Sequence, residues 1–439
     1  MYREGIEQLR KWKDSRRRKP LMITGVRQCG KTYLIKQFAE QYFEQYVYLN
    51  FEEEERLSEI FEFDFDVKRI LGDIEIATGQ KIYPGETLLV LDEIQQCPRA
   101  ITSLKYFCEN MRQLHLICAG SLLGVAIKSE SISFPVGKIN RMHLYPMNFR
   151  EFVIADGGER YIEAVTDWAH NRPLPELYAK PLEEYLKKYY IVGGMPEAVA
   201  EWSENHNYAA VDEILDEILE DYADDFSKHA PIREVEKIRW IWDSVPKQLA
   251  KENNKFVFSH VKEGKRSAEL EDALQWLRDA GLIHILELAT NIEIPLSSYA
   301  DATYFKVYMS DVGLLRRKSG IAVRTILEGG ESYRNFKGAI AENYVYGELK
   351  AIGIHPYFWR SRNTAELDFV FEEENVIYPV EVKAADNVRA KSYVQFCKKY
   401  QPQYGFKCSL KNIAENDCEG TRTLSLPLYM LFDIRRYFI

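Results

Sequence analysis

Gly25-Val26-Arg27-Gln28-Cys29-Gly30-Lys31-Thr32, followed by Tyr33, has the residue types and spacing of a loop that grips a polyphosphate. The glycines let successive backbone N–H groups curl around β- and γ-phosphates at the positive end of a helix. Lys31 adds a mobile cation and Thr32 a hydroxyl for Mg²⁺, so Gly25 to Tyr33 is the candidate nucleotide cradle. Downstream, Leu88-Leu89-Val90-Leu91-Asp92-Glu93 is an apolar run ending in two acids. Asp92 is expected to hold Mg²⁺ through water and Glu93 to polarise the attacking water. The run Leu114 to Ala119 ends in Gly120-Ser121, where Ser121 is either a contact to the γ-phosphate or water, or a plain turn residue. Arg141 and Arg99 are candidates for the arginine that completes such sites, against the ordinary alternative of surface ion pairs. Cys29 is expected beside the phosphates, reactive towards thiol reagents and covered by bound nucleotide.

A second constellation lies near the end. Glu366 to Phe371 and Val376 to Lys383 read as a hairpin of two strands, and the two-residue period puts Glu381 and Lys383 on one face. Asp368 on the neighbouring strand is placed to share a Mg²⁺ or Mn²⁺ with Glu381, a second metal beside that of the nucleotide. Lys383 would position a hydrolytic water or stabilise phosphate charge, and Glu342 on the preceding helix is a further ligand or base. This Asp…Glu-x-Lys order resembles the PD-(D/E)xK phosphodiesterase core. A surface Glu/Lys pair, or a fold relic that binds without cutting, stays open beside it.

Positioning these groups requires particular elements. Strands are expected at 21–24, 46–51, 87–91 and 114–119, alternating with helices near 31–44, 55–76 and 99–112. That alternation implies an α/β fold, a parallel sheet covered by helices on both faces. Residues 145–230 read as mostly helical, with a turn at Gly193-Gly194-Met195-Pro196 and an acidic tract from Asp212 to Asp225 whose acids form a solvated face. Helices at 232–252 and 267–280 followed by a strand pair suggest a winged helix-turn-helix. Its candidate recognition helix exposes Glu269, Glu271 and Asp272, which phosphates would repel, so a structural lid or interdomain module is favoured over groove reading. The basic arm from Arg10 to Lys19 reads as a solvated helix face or a nucleic-acid or nucleotide contact. The resulting division is an ATPase core at 1–160, a helical lid at 161–230, a winged-helix domain at 231–327 and a small α/β domain at 328–439.

The chain has 439 residues, 58 Lys+Arg against 67 Asp+Glu for a net charge of −9, and 46% hydrophobic residues. This composition excludes a disordered or fibrous chain and argues against wholesale wrapping by nucleic acid. No apolar run approaches the ~18–20 residues of a bilayer span. Seven cysteines form no Cys-x-x-Cys pair, so a reducing cytosol is expected and no zinc site or disulfide framework.

The phosphate loop, Asp92-Glu93-Ile94-Gln95, Ala119-Gly120-Ser121, the stretch Leu144 to Phe152, Tyr190 to Glu197 and Phe336 to Glu342 together resemble bacterial and archaeal AAA-type ATPases that bear a C-terminal domain of unknown function. The resemblance implies ATP hydrolysis by a P-loop core, a winged-helix middle and a restriction-endonuclease-like C-terminal domain. Two readings follow: an ATPase coupled to a domain that binds or cleaves DNA or RNA, or a nucleotide-driven switch or scaffold whose C-terminal domain recruits a protein. A homo-oligomer is compatible with either, and a membrane partner with neither.

Overall fold

Five short strands, β1 (Leu21–Thr24), β2 (Tyr46–Asn50), β3 (Leu88–Asp92), β4 (His115–Ala119) and β5 (Asn140–His143), form a parallel sheet in the order β2-β3-β4-β1-β5. In the computed structural model, which describes residues 1–126, 133–168, 172–251, 255–329, 334–361, 365–384 and 390–438, every residue of β3 and β4 is buried. Continuous burial is what two helical covers impose on a parallel sheet. The four expected strands are present, and β5 is additional. Its sequence Asn-Arg-Met-His buries only Met142, as an edge strand can, and so carries no apolar run to find. The helix expected over 55–76 is broken into a 3-10 turn, Glu55–Phe61, and a helix, Val67–Thr78, which starts where the Asp66 side chain accepts from Lys68 N.

The basic arm is tied to this sheet. Trp12 Nε1 donates to Lys19 O, Lys13 Nζ to Tyr42 O, and the Arg18 guanidinium to Lys13 O and Gln113 O. Tyr2–Pro146 and Asp279–Leu282 together make one compact unit.

The second unit comprises Met1, Met147–Arg278 and Ile283–Ile439. Among the described residues its strands are β6 (Ile283–Ala289), β7 (Ala300–Met309), β8 (Tyr357–Arg360), β9 (Glu366–Glu373), β10 (Val376–Val382), β11 (Tyr404–Ser409), β12 (Ala414–Cys418) and β13 (Thr421–Pro427), which form an eight-stranded sheet in the order β12-β13-β11-β10-β9-β8-β6-β7. The β9–β10 hairpin turns through Glu374 and Asn375, whose φ values of 49° and 64° suit a two-residue hairpin connection. Helices Ile232–Leu249 and Ser267–Asp279 precede the β6–β7 hairpin as expected. Yet β6 pairs in parallel with β8, Leu288 opposite Phe358, so the expected wing continues the sheet of the C-terminal strands. An exposed β8 edge would otherwise carry unpaired backbone groups.

The Gly193-Gly194 turn joins helix Glu176–Val192 to helix Pro196–Asn205. Gly194 N donates to Asp311 Oδ2 at 2.6 Å, and Gly194 O accepts from Met147 N at 2.7 Å. The acidic tract is less solvated than its charge suggests. Asp212 pairs at 2.5 Å with Arg316, a fully buried guanidinium, and Asp216 with Arg317. Buried guanidinium needs such partners.

A Cβ on Gly194 would lie 2.0 Å from Met147 O, a backbone atom that cannot swing aside. Gly194→Ala is therefore expected to cost about 3 kcal/mol by overpacking, read from the denaturant midpoint. Gly72→Ala, in helix Val67–Thr78 with nothing within 4 Å of the added methyl, should be neutral or stabilising. Equal stability of the two variants would refute the role given to Gly194.

Candidate functional site

β1 runs into the phosphate loop, and helix Lys31–Tyr42 begins at its last residues. Gly30 has φ +87° and caps the helix in the left-handed region, while a Cβ on Gly25 would meet Leu144 O at 2.3 Å. Both glycines are thus required by the backbone path. Lys31 is buried, its Nζ donating to Gly25 O at 3.1 Å and Val26 O at 2.9 Å. Arg3, which the sequence reading passed over, is 3% exposed and braces the loop from behind, donating to Cys29 O at 3.2 Å and Tyr145 O at 2.8 Å. Gly281 approaches the other side, with its ideal Cβ position 3.5 Å from Val26 N.

Asp92 sits at the carboxyl end of β3. Its Oδ2 accepts from Thr32 Oγ1 and from Tyr48 OH, each at 2.7 Å, and its Oδ1 from Glu93 N at 3.0 Å. Three donors on one carboxylate hold it in place, facing the loop helix. Tyr48 was not singled out by sequence, since one tyrosine in a strand signals only packing; its phenol is held strongly protonated by burial and by Asp92. Glu93 adopts φ +48°, an uncommon conformation for a non-glycine residue. Burial raises its carboxyl above the ordinary value, and the Asp92 charge adds to this, against a 2.5 Å hydrogen bond from Gln95 Nε2. A carboxylate raised in this way is a stronger base than an ordinary one.

Ser121 follows β4 on the same edge of the sheet, next to Gly120, which closes on the Gln95 amide. Arg141 is engaged elsewhere: it is exposed on β5 opposite Met22, its guanidinium 4.8 Å from the centre of the Phe134 ring. Arg99 donates to Phe61 O at 2.7 Å and stacks on Phe65. Cys29 differs from expectation. Its thiol is fully buried and directed at Leu144 O, 3.5 Å away, because the loop turns that side chain into the fold and presents backbone to the outside.

In the second unit, the β9–β10 register pairs Val380 with Phe369 and so sets Glu381 across from Asp368. Asp368 Oδ2 accepts from Val382 N at 2.7 Å. Lys383 Nζ lies 2.6 Å from Glu381 Oε1, while Glu381 Oε2 is buried with no hydrogen-bond partner among the described residues. Glu342, on helix Arg334–Ala351, accepts from Tyr308 OH at 3.0 Å. The sequence reading missed Lys306 of β7, 1% exposed, whose Nζ lies 2.7 Å from Glu366 Oε1 and 3.5 Å from Glu342 Oε2. A single lysine inside the apolar run Phe305 to Met309 was the available signal. Burial alone would discharge this ammonium; Glu342, Glu366 and Asp368 reverse that and raise its pKa. Asp368 is pushed well above the carboxylate range by burial, then by Glu381 and Glu342. Among the described residues, no three His, Cys, Asp or Glu side chains are arranged to hold a metal ion.

Residues 17–153 match the family described as an AAA domain, 183–325 a domain of unknown function (DUF8612) and 337–429 another (DUF4143). The AAA-domain match falls largely within the first unit, whose parallel sheet carries the phosphate-loop sequence at the end of β1. An uncharacterized protein of Methanocaldococcus jannaschii, MJ1544, is 24% identical over 364 residues, 81% of this chain and 72% of that one. Among solved structures, the Walker-type ATPase PABY2304 of Pyrococcus abyssi is similar with TM-score 0.44 and 15% identity, over 72% of this chain and 95% of that one. The ORC2 protein of Aeropyrum pernix, in its ADPNP–ADP complexes, is similar with TM-score 0.36 and 15% identity, over 74% and 92%. Among the described residues no helix is long and apolar enough to cross a membrane.

Two outcomes are expected. Six of the seven cysteines are buried and Cys108 is half-buried, so native protein should react quickly with a thiol reagent at Cys108 alone, with or without MgATP. Rapid labelling of Cys29 would contradict the loop geometry. For Asp368, a folded pKa above the unfolded value of roughly 3.9 means no penalty in acid and a growing one as pH rises past that value. Asp368→Asn, whose amide oxygen can still accept from Val382 N, should therefore melt above wild type at pH 8, with the gap closing near pH 3. A gap independent of pH would show that the carboxyl is not so perturbed.

Proposed function

We propose that the chain is a Mg²⁺-dependent ATPase whose nucleotide state switches the second unit. The observation that carries the reading is the Thr32–Asp92–Tyr48 hydrogen-bonded group at the strand end, beside Lys31 and Glu93. Backbone N–H groups of Gly25 to Tyr33 would bind the phosphates. Lys31 would exchange two neutral carbonyl partners for phosphate oxygens, a gain for an ammonium. Thr32 and Asp92 fit a Mg²⁺, which would supply charge neutralisation on the β- and γ-phosphates. Glu93 would take the proton of the water that attacks the γ-phosphorus as the bond to ADP breaks. Ser121 is assigned to contact the γ-phosphate or that water, and Arg141 or Arg99 to act from a second copy of the chain.

For the second unit, the switch or scaffold reading is favoured by the way its charges are already matched, Glu381 by Lys383 and Glu366 by Lys306. Asp279–Leu282, the segment packed on the phosphate loop at Gly281, continues directly into β6 and closes helix Ser267–Asp279, which gives the loop a covalent route outward. The alternative is that Asp368, Glu381 and Lys383, with Glu342, grip or cleave a nucleic-acid phosphodiester. Plasmid nicking that requires Mn²⁺ and is lost in Glu381→Ala would establish that alternative.

Lys31→Ala should abolish stabilisation by ATP in thermal melts. Glu93→Gln should bind nucleotide as wild type does while turnover falls about 10²- to 10⁴-fold, the usual worth of a positioned base. Equal losses of affinity and rate in Glu93→Gln would remove it from the chemistry.

A further inference from the structure

Four carboxylates of the second unit, Glu342, Glu366, Asp368 and Glu381, converge on one another from a helix and two adjacent strands, and two ammonium groups stand among them. Lys383 directly follows the strand that carries Glu381 and faces partly outward, 30% of its side chain exposed. Lys306 comes from β7, on the far edge of the sheet, and its side chain is 1% exposed. It is held in place. Asn343 clamps β7 beside it, accepting from Met309 N at 2.9 Å and donating to Met309 O at 3.1 Å. The Phe358 ring lies 5.2 Å from the Lys306 ammonium, a further favourable contact for a cation. The β6–β7 hairpin is thus built into this sheet by its pairing with β8, and that pairing delivers a fixed positive charge to the acids.

A divalent ion here would need several oxygens of the same acids, at about 2.0–2.6 Å. The Lys306 ammonium already uses Glu366 Oε1 at 2.7 Å and stands 3.5 Å from Glu342 Oε2, so a metal drawn to these oxygens would meet a like charge at contact distance. The lysine has no solvent to retreat into. Resting on the switch reading of this unit, we propose that Lys306 is the resident cation of the cluster, and that the wild-type cluster takes no divalent metal. Glu381 Oε2, buried and without a hydrogen bond among the described residues, is then an oxygen that becomes a metal ligand only when the lysine charge is removed.

The test uses the full chain, free of nucleotide and carrying Asp92→Asn to suppress metal at the ATPase site, titrated with Mn²⁺ by calorimetry and electron paramagnetic resonance. With Lys306 present, no Mn²⁺ binding sensitive to Glu366→Gln is expected. Lys306→Met, similar in length and uncharged, should melt lower, since it leaves Glu366 and Glu342 without their cation, and Mn²⁺ should restore much of that loss. The restoration should vanish in Lys306→Met with Glu366→Gln. One Mn²⁺ bound with Lys306 present and lost on Glu366→Gln or Glu381→Gln overturns the proposal, and so does a folded Lys306→Met indifferent to Mn²⁺. Where Lys306→Met fails to fold, the titration with Lys306 intact still decides. Nicking of plasmid without bound Mn²⁺ would sink the switch reading and leave Lys306 in its role, whereas Mn²⁺ binding without nicking would do the reverse.

Discussion

The carboxylate of Asp92 is the group on which the first unit depends. It stands at the end of a strand with no exposed residue, and a charge in that position is tolerated only with donors around it. Those donors come from three separate places: the phosphate-loop helix through Thr32, β2 through Tyr48 and its own chain through Glu93 N. One buried charge therefore fixes how the loop, the neighbouring strand and the following turn meet. The turn, in its left-handed conformation at Glu93, directs the second acid back to the same edge.

In the second unit one organising pair of charges joins two helices and another joins two strands of the sheet. Arg316 is fully buried and held by Asp212 and Ile191 O; Lys306 is buried and held by Glu366. Each pairing joins stretches far apart in the chain, Asp212 with Arg316 and Lys306 with Glu366. Breaking one partner of such a pair leaves an unpaired buried charge, which costs about 3–5 kcal/mol. The Lys306–Glu366 pair thus ties β7 to β9, two strands that share no ladder.

What was legible in the sequence was local. Apolar runs gave β1 to β4, the glycine and lysine spacing gave the loop, and the pair Asp92-Glu93 followed from its position after a buried strand. What was not legible depended on tertiary placement. Tyr48 and Arg3 matter because of what lies opposite them, and β5 has no pattern because only one of its residues is buried. Cys29 was read as a thiol beside phosphates because its spacing says where it sits along the loop, whereas its direction is set by Leu144 across the fold. The expected winged helix had its helices and hairpin in the right order. No local feature announces that β6 pairs with β8, some seventy residues on by the register of Leu288 with Phe358.

The two lysines at the two sites differ in a way that bears on what each site can do. Lys31 is satisfied by two carbonyl oxygens of its own loop, neutral partners that an anionic phosphate outcompetes, so the site is poised to exchange a weak interaction for a strong one. Lys306 is satisfied by carboxylates, already the strongest partners a lysine has, and no incoming group improves on them without bringing more negative charge into a crowded acidic space. A site whose internal bonds are weaker than those its ligand offers is built to bind and release. One whose internal bonds match the best on offer holds its arrangement, and change reaches it only through movement of the strands that carry it.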